Sequence, residues 1–120
     1  MTTLYAQRSV PAIVDSGTNG LMFRDTTIPT GVNNWAAPQS TLSLTSTMMS
    51  TVGLQATVLF SIADAEWLFE SNYAAYVSLG ALSLSSNMLV WGLPFYYGRS
   101  VYTELSGAQA GGKTGPFVAF

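Results

Sequence analysis

The chain has 120 residues, of which 48% are hydrophobic and only 8% are charged, and its net charge is −2. This length supports a single domain over residues 1–120 with a real hydrophobic core, and is too short for two ordinary domains joined by a linker. Because its four basic residues are scattered singly, the clustered positive face needed for nucleic-acid binding or polybasic membrane attachment is excluded; they are Arg8, Arg24, Arg99 and Lys113.

Cysteine and histidine are both absent. This excludes disulfides, thiolate catalysis, cysteine-type zinc sites and the histidine base of serine and cysteine hydrolases, and we expect neither a metal nor another cofactor. No apolar run approaches the ~20 residues of a membrane-spanning helix. Any hydrolysis must use carboxylates, and the six are Asp15, Asp25, Asp64, Glu66, Glu70 and Glu104.

Five segments combine β-branched or aromatic residues with rough alternation, which predicts strands. In chain order they are Thr3 to Val14, Thr41 to Met49, Leu54 to Ile62, Leu82 to Val90 and Val101 to Leu105. One helix is predicted from Asp64 to Leu79, where apolar residues recur at threes and fours, with Asp64 or Ser61 capping its start and Gly80 ending it. Loops are expected at 29–38 and at 106–116. The pattern favours a mainly β domain.

A candidate functional residue, Asp15, comes directly after an apolar run and two residues before Gly17. A buried strand would deliver this carboxylate into a site of low dielectric constant, while Gly17 permits a sharp turn and the hydroxyls of Ser16 and Thr18 can hold the carboxylate. Alone the signal is weak, because Asp-Ser-Gly is also ordinary turn chemistry. The alternative is a turn acid satisfied by neighbouring amides.

A second segment adds weight, since Met88 to Tyr102 joins an apolar run ending in Trp91-Gly92 to an aromatic-rich turn and a returning strand. These parts, their order and the closing segment 115–120 resemble the C-terminal lobe of pepsin-like aspartic peptidases over nearly the whole chain. They resemble more closely a poorly characterised family of secreted bacterial proteins with paired Asp-Thr-Gly and Asp-Ser-Gly loops. The resemblance implies a mainly β, single-lobe acid-protease (retropepsin-like) closed barrel with one principal helix.

The resemblance also implies roles for individual residues. Asp15 would be the catalytic aspartate, Ser16 would grip the loop of a partner lobe, and Thr18 would hydrogen-bond the carboxylate. Gly17 and Gly92 would be structural. The chain departs from the family in having no cysteine in the loop 31–38, and in having Leu93 where a polar residue is frequent.

The implied function is peptide hydrolysis by two aspartates that share a proton and activate a water molecule. One lobe supplies one aspartate, so the partner must be a second copy in a homodimer or a missing N-terminal lobe. The family suggests a secreted or periplasmic protein, although Met1 to Leu4 lacks the features of a secretion signal. The alternative is a catalytically silent structural or interaction module that retains the fold.

Several other side chains carry expectations of their own. The aromatic residues of the predicted helix, including Phe69 and Tyr76, are interpreted as helix-face packing. Trp35 either covers a cleft or a partner or is a single exposed aromatic residue. Arg99 is expected to pair with an acid or a carbonyl group.

Overall fold

The computed structural model describes residues 1–83 and 87–120, and most of its regular structure is β-strand. Within these residues there is one α-helix, α1, at Ala65–Phe69, and two short 3₁₀ turns, at Val32–Asn34 and Leu93–Tyr96. The strands are β1 Thr2–Tyr5, β2 Arg8–Val14, β3 Leu21–Phe23, β4 Leu42–Met49, β5 Gln55–Ile62, β6 Gly80–Leu82, β7 Leu89–Trp91, β8 Tyr102–Glu104, β9 Gln109–Ala110, β10 Lys113–Thr114 and β11 Phe117–Ala119.

The strand predictions for 41–49 and 54–62 are confirmed by β4 and β5. The predicted strand at 3–14 is instead a hairpin, because Ala6 and Gln7 have positive φ angles of 46° and 64° and reverse the chain between β1 and β2. This is the backbone twist that two-residue hairpin loops favour. The predicted strand at 82–90 includes residues 84–86, which lie outside the described part of the chain, and its described ends belong to β6 and β7.

Seven strands form one mixed sheet in the order β5-β4-β1-β2-β7-β3-β6. The first four are antiparallel neighbours, whereas β2 and β7 are parallel, with Val14 opposite Trp91. Strand β7 is also paired with β3, through Met22 and Val90. Because β2 and β7 run in the same direction, the residues that follow them, Asp15 and Gly92, leave the sheet at the same end.

The main core lies against the sheet around Trp91, which is 1% exposed. Its indole Nε1 donates a hydrogen bond of 3.0 Å to the hydroxyl of Thr3 on β1, so the buried N–H group is satisfied. The ring of Phe60 meets Trp91 edge to face at 5.4 Å, and the ring of Phe95 packs against Trp91 in a tilted arrangement, also at 5.4 Å. These contacts join β1, β5, β7 and the second 3₁₀ turn into one unit.

The predicted helix from Asp64 to Leu79 is too long, because α1 ends at Phe69. Its start is as expected, since the Asp64 carboxylate accepts a hydrogen bond of 2.9 Å from the Glu66 amide. At the other end, Ser71 directs both its amide and its hydroxyl to the Leu68 carbonyl, at 3.1 Å and 2.7 Å. That local bonding competes with continuation of the helix.

The apolar periodicity beyond α1 does not describe a buried helix face. Tyr73 is 76% exposed and Val77 is 59% exposed, so a helix there would gain no stability from packing of an apolar face. Gly80, predicted to end the helix, is instead the first residue of β6 and lies against the side chain of Ile62.

The sheet curls into half a barrel rather than a closed barrel. Among the described residues its outer strands, β5 and β6, are not joined by a ladder. They approach at one corner, where the Ala63 amide donates to the Ser78 carbonyl at 2.9 Å. The mainly β fold with one helix is confirmed in this coarser form.

The last twenty residues form a ribbon of two short two-stranded sheets, separate from the main sheet. Strand β8 pairs with β11, and β9 pairs with β10 next to the turn at Gly111 and Gly112, where both φ angles are positive. The ribbon returns to the body of the protein at its end, where the ring of Phe120 meets Phe95 at 5.0 Å.

We expect Ser46→Ala to raise the free energy of unfolding by about 1 kcal/mol in urea titrations, because its buried Oγ atom has no hydrogen-bond partner in the described structure. Thr3→Val is the matched comparison and should lower that free energy by about 1–3 kcal/mol, since it leaves the buried Trp91 N–H group without its hydrogen-bond acceptor. A destabilised Ser46→Ala protein would contradict the assignment of Ser46 as unsatisfied.

Candidate functional site

The loop that follows β2 holds the carboxylate of Asp15 by both of its oxygens. The Gly17 amide donates to Oδ1 at 2.9 Å, and the Thr18 hydroxyl donates to Oδ2 at 2.6 Å. The backbone is tied down as well, because the Asp15 amide donates to the Trp91 carbonyl at 2.9 Å. The carboxylate therefore has one defined orientation on a partly exposed surface.

The chain crosses beneath this loop at Gly92, immediately after β7. The Leu93 amide donates to the Thr18 carbonyl at 2.7 Å, which joins the two segments directly. A Cβ atom at Gly92 would collide with the Gly20 carbonyl and would lie 2.6 Å from the Thr18 carbonyl oxygen. Both obstacles are backbone atoms that cannot rotate away, so this position requires glycine.

Four of the predicted site residues, Asp15, Gly17, Thr18 and Gly92, thus lie together at one end of the sheet. Ser16 is exposed and its hydroxyl is not one of the groups that hold the carboxylate. The role predicted for Ser16, a contact with the loop of a partner lobe, stays a prediction.

Hydrogen bonding lowers the pKa of the Asp15 carboxyl below its ordinary value. The Thr18 hydroxyl makes the largest contribution and the Gly17 amide the next, because both donate to the charged form. Slight burial raises the pKa, but this effect is smaller than that of the two hydrogen bonds. Asp15 is therefore an ionised carboxylate at neutral pH.

An aromatic groove of about 200 Å³ runs beside the loop. Its lining includes Ser16, Gly17 and Leu93 from the loop and the crossing segment. Three aromatic side chains also line it, Trp35, Phe69 and Tyr76, with ring centroids 5.5 Å apart for the first pair and 5.7 Å apart for the second.

Sequence patterns had suggested helix-face packing for Phe69 and Tyr76, and only the fold shows that they line this groove. Trp35, for which two interpretations were open, covers the groove from the loop before β4. Its backbone bridges to Ala81 of β6, which holds the loop in place. The tryptophan in a predicted loop was the one sequence signal for this groove. Its contact with Phe69, 34 residues later in the chain, could not be predicted from residue spacing.

No three histidine, cysteine, aspartate or glutamate residues within 1–83 and 87–120 are grouped so that they could hold a metal ion. Among the described residues, no helix has both the length and the apolar composition that crossing a membrane requires.

The fold and the site define a mainly β domain that presents one aspartate from an Asp-Ser-Gly-Thr loop. The chain belongs to the family described as "Protein of unknown function (DUF3443)", whose model matches residues 1–120. It has no match among curated proteins and none among solved structures.

We expect Gly92→Ala to lower the free energy of unfolding by about 3 kcal/mol or more, because the added methyl group forces the crossing strand away from the Asp15 loop. Gly98→Ala is a suitable control. Its φ angle is 74°, but no atom lies near the added methyl group, so only about 1 kcal/mol of backbone strain is expected. Equal losses in the two variants, measured by urea unfolding, would contradict the close crossing.

Thr18→Val should raise the pKa of Asp15 toward its ordinary value, because it removes the hydroxyl that makes the largest contribution to the shift. Carbon-13 NMR titration of the Asp15 carboxyl measures this directly, and Thr18→Ser should leave the pKa low. The change in stability follows from the sign of the shift. With a lowered pKa in the folded state, the ionised carboxylate stabilises the protein above the unfolded-state pKa, and this contribution is lost as the pH falls through the folded-state pKa. As the pH falls through that range, the free energy of unfolding should therefore decrease less in the Thr18→Val protein than in the parent.

Proposed function

We propose that this chain is one lobe of an aspartic-type endopeptidase, related to pepsin-like proteins, and that two copies pair through their Asp15 faces. The observation that supports this most directly is the clamped carboxylate. Asp15 is held by a hydroxyl and an amide at the end of a parallel strand pair and is crossed from below by Gly92. An aspartate that only orders a local turn would need neither the parallel strand pair nor the crossing at Gly92.

The chain itself offers no second aspartate of this kind. Asp25 accepts hydrogen bonds from Tyr5 at 2.6 Å and from Thr27, and Asp64 caps helix α1. Both carboxylates have structural roles away from the loop. A catalytic pair must therefore come from another polypeptide, and a second copy contributes an identical loop through an isologous contact.

Pairing would change the titration of the two carboxyl groups. Each one alone has a lowered pKa and is ionised at neutral pH. Two like charges brought within reach of one proton raise one of the two pKa values, so the pair holds that proton only at acidic pH. One carboxylate then takes a proton from water while the protonated partner donates to the scissile carbonyl oxygen.

The aromatic groove beside the loop would hold an apolar side chain of the peptide next to the scissile bond. Trp35, Phe69 and Tyr76 supply its apolar wall, and Ser16 and Gly17 place it directly against the Asp15 loop. Binding energy gained there can position the peptide for attack. We propose a secreted or periplasmic setting for this activity, as in the family that the sequence resembles.

A second candidate is a catalytically silent module that uses the fold for interaction. It is favoured by the single Asp-Ser-Gly loop, since one carboxylate cannot share a proton with itself, and by the structural use of Asp25 and Asp64. In that case Asp15 would serve only to order its own loop.

We expect the protein to cleave an unstructured peptide substrate at acidic pH, and Asp15→Asn to abolish the cleavage. The amide preserves shape while removing the base and the shared proton. Glu70→Gln, which neutralises an exposed acid away from the loop, should leave the rate unchanged. Cleavage should be inhibited by a peptide mimic with a central hydroxyl group.

Sedimentation equilibrium over a dilution series separates the two candidates. The proposal requires that activity per chain falls as the dimer dissociates. An Asp15→Asn protein that cleaves as fast as the parent would contradict the mechanism. A stable dimer that is inactive across the acidic range would support the interaction module instead.

A further inference from the structure

A second groove, of about 370 Å³, lies apart from the Asp15 loop and shares no lining residue with the aromatic groove. We call it the Arg99 groove. It is lined by residues 43–45 in the first half of β4, and by Pro94, Phe95, Tyr97 and Arg99. Its lining also includes the buried Trp91 and the partner strand β5 at residues 58–61.

The part of β4 that lines this groove has an unpaired backbone edge among the described residues. Strand β1 is short and pairs with β4 only at Thr47, Met48 and Met49. In the described structure the residues of β4 before Thr47 are paired on one side alone, with β5. Peptide groups on such an edge that do not face the neighbouring strand are available to an added strand.

Arg99 is the one charged side chain among the described residues that line the groove. The described lining contains no aspartate or glutamate. The guanidinium group lies over the ring of Phe95, 4.5 Å from its centroid, and 6.0 Å from that of Phe120. The expected partner of Arg99 was an acid or a carbonyl group, and the structure instead shows two aromatic rings. Burial lowers the pKa of Arg99, because water is partly removed from the charge.

The remaining surface of the groove suits an extended chain. Leu59 is 70% exposed and Val77 is 59% exposed, so apolar side chains of a ligand can cover area that now faces water. Ser43, Thr45 and Ser61 are neutral and add no charge that would oppose an acid.

We propose that the Arg99 groove binds an extended segment of a separate polypeptide, which pairs with the free edge of β4 and places an aspartate or glutamate side chain on Arg99. The carboxylate would form a charge-assisted pair with a guanidinium that the aromatic rings already orient. This inference does not depend on the proposed peptidase activity, because Asp15 takes no part in it.

The test uses fluorescence anisotropy of a labelled peptide of about six residues, long enough to span the free edge of β4. The peptide alternates threonine and valine, carries one central glutamate and has blocked ends. Its comparison peptide has glutamine in place of glutamate. We expect the glutamate peptide to bind about tenfold more tightly, and Arg99→Gln to remove that preference while binding of the glutamine peptide stays unchanged. Arg99→Lys, which retains the charge, should keep part of the preference and controls for loss of the aromatic contacts.

Two further measurements complete the test. Methylating alternate peptide nitrogens of the ligand should abolish binding for one of the two alternating patterns and spare the other, because only one set of N–H groups faces β4. Asp15→Asn should bind both peptides like the parent, so failure of the peptidase proposal leaves this result unaffected. Equal affinity for the two peptides, no binding by either, or an Arg99-dependent dimer that excludes the peptide would each overturn the proposal.

Discussion

The crossing of two chain segments at Gly92 is the constraint on which the rest of this structure depends. Parallel pairing of β2 with β7 brings Val14 opposite Trp91, so the next residue of each strand emerges at the same place. The Leu93 amide then bonds the carbonyl of Thr18, the residue whose hydroxyl holds Asp15. Backbone passes so close to backbone that a side chain at Gly92 does not fit. The orientation of the carboxylate is thus a consequence of strand pairing.

The same strand also anchors the hydrophobic core. Trp91 fills the space between β1, β5 and the turn that contains Phe95, and its indole nitrogen is bonded to Thr3. Core and site are therefore mechanically coupled, since any shift of β7 moves both. This arrangement explains how a chain with only ten charged residues can hold one carboxylate in a defined position. The orientation comes from peptide groups and hydroxyls rather than from ion pairs.

The aromatic groove and the Arg99 groove differ in the chemistry of their linings. Beside Asp15 the wall is aromatic and neutral, whereas the groove along β4 carries the guanidinium of Arg99. Only the groove along β4 adjoins a strand edge that is unpaired among the described residues. The two surfaces share no lining residues.

The sequence by itself determined the local features. Alternation in 41–49 and 54–62 predicted β4 and β5, because one face of a strand must be apolar, and Asp64 predicted the start of α1 through its capping carboxylate. It also singled out Asp15, Gly17, Thr18 and Gly92, which come together. Periodicity overextended the helix, since it cannot distinguish a buried face from the exposed Tyr73. Only the tertiary structure decided the half-barrel, the aromatic groove and the free edge of β4, because these arise where residues distant in the chain compete for burial and backbone partners.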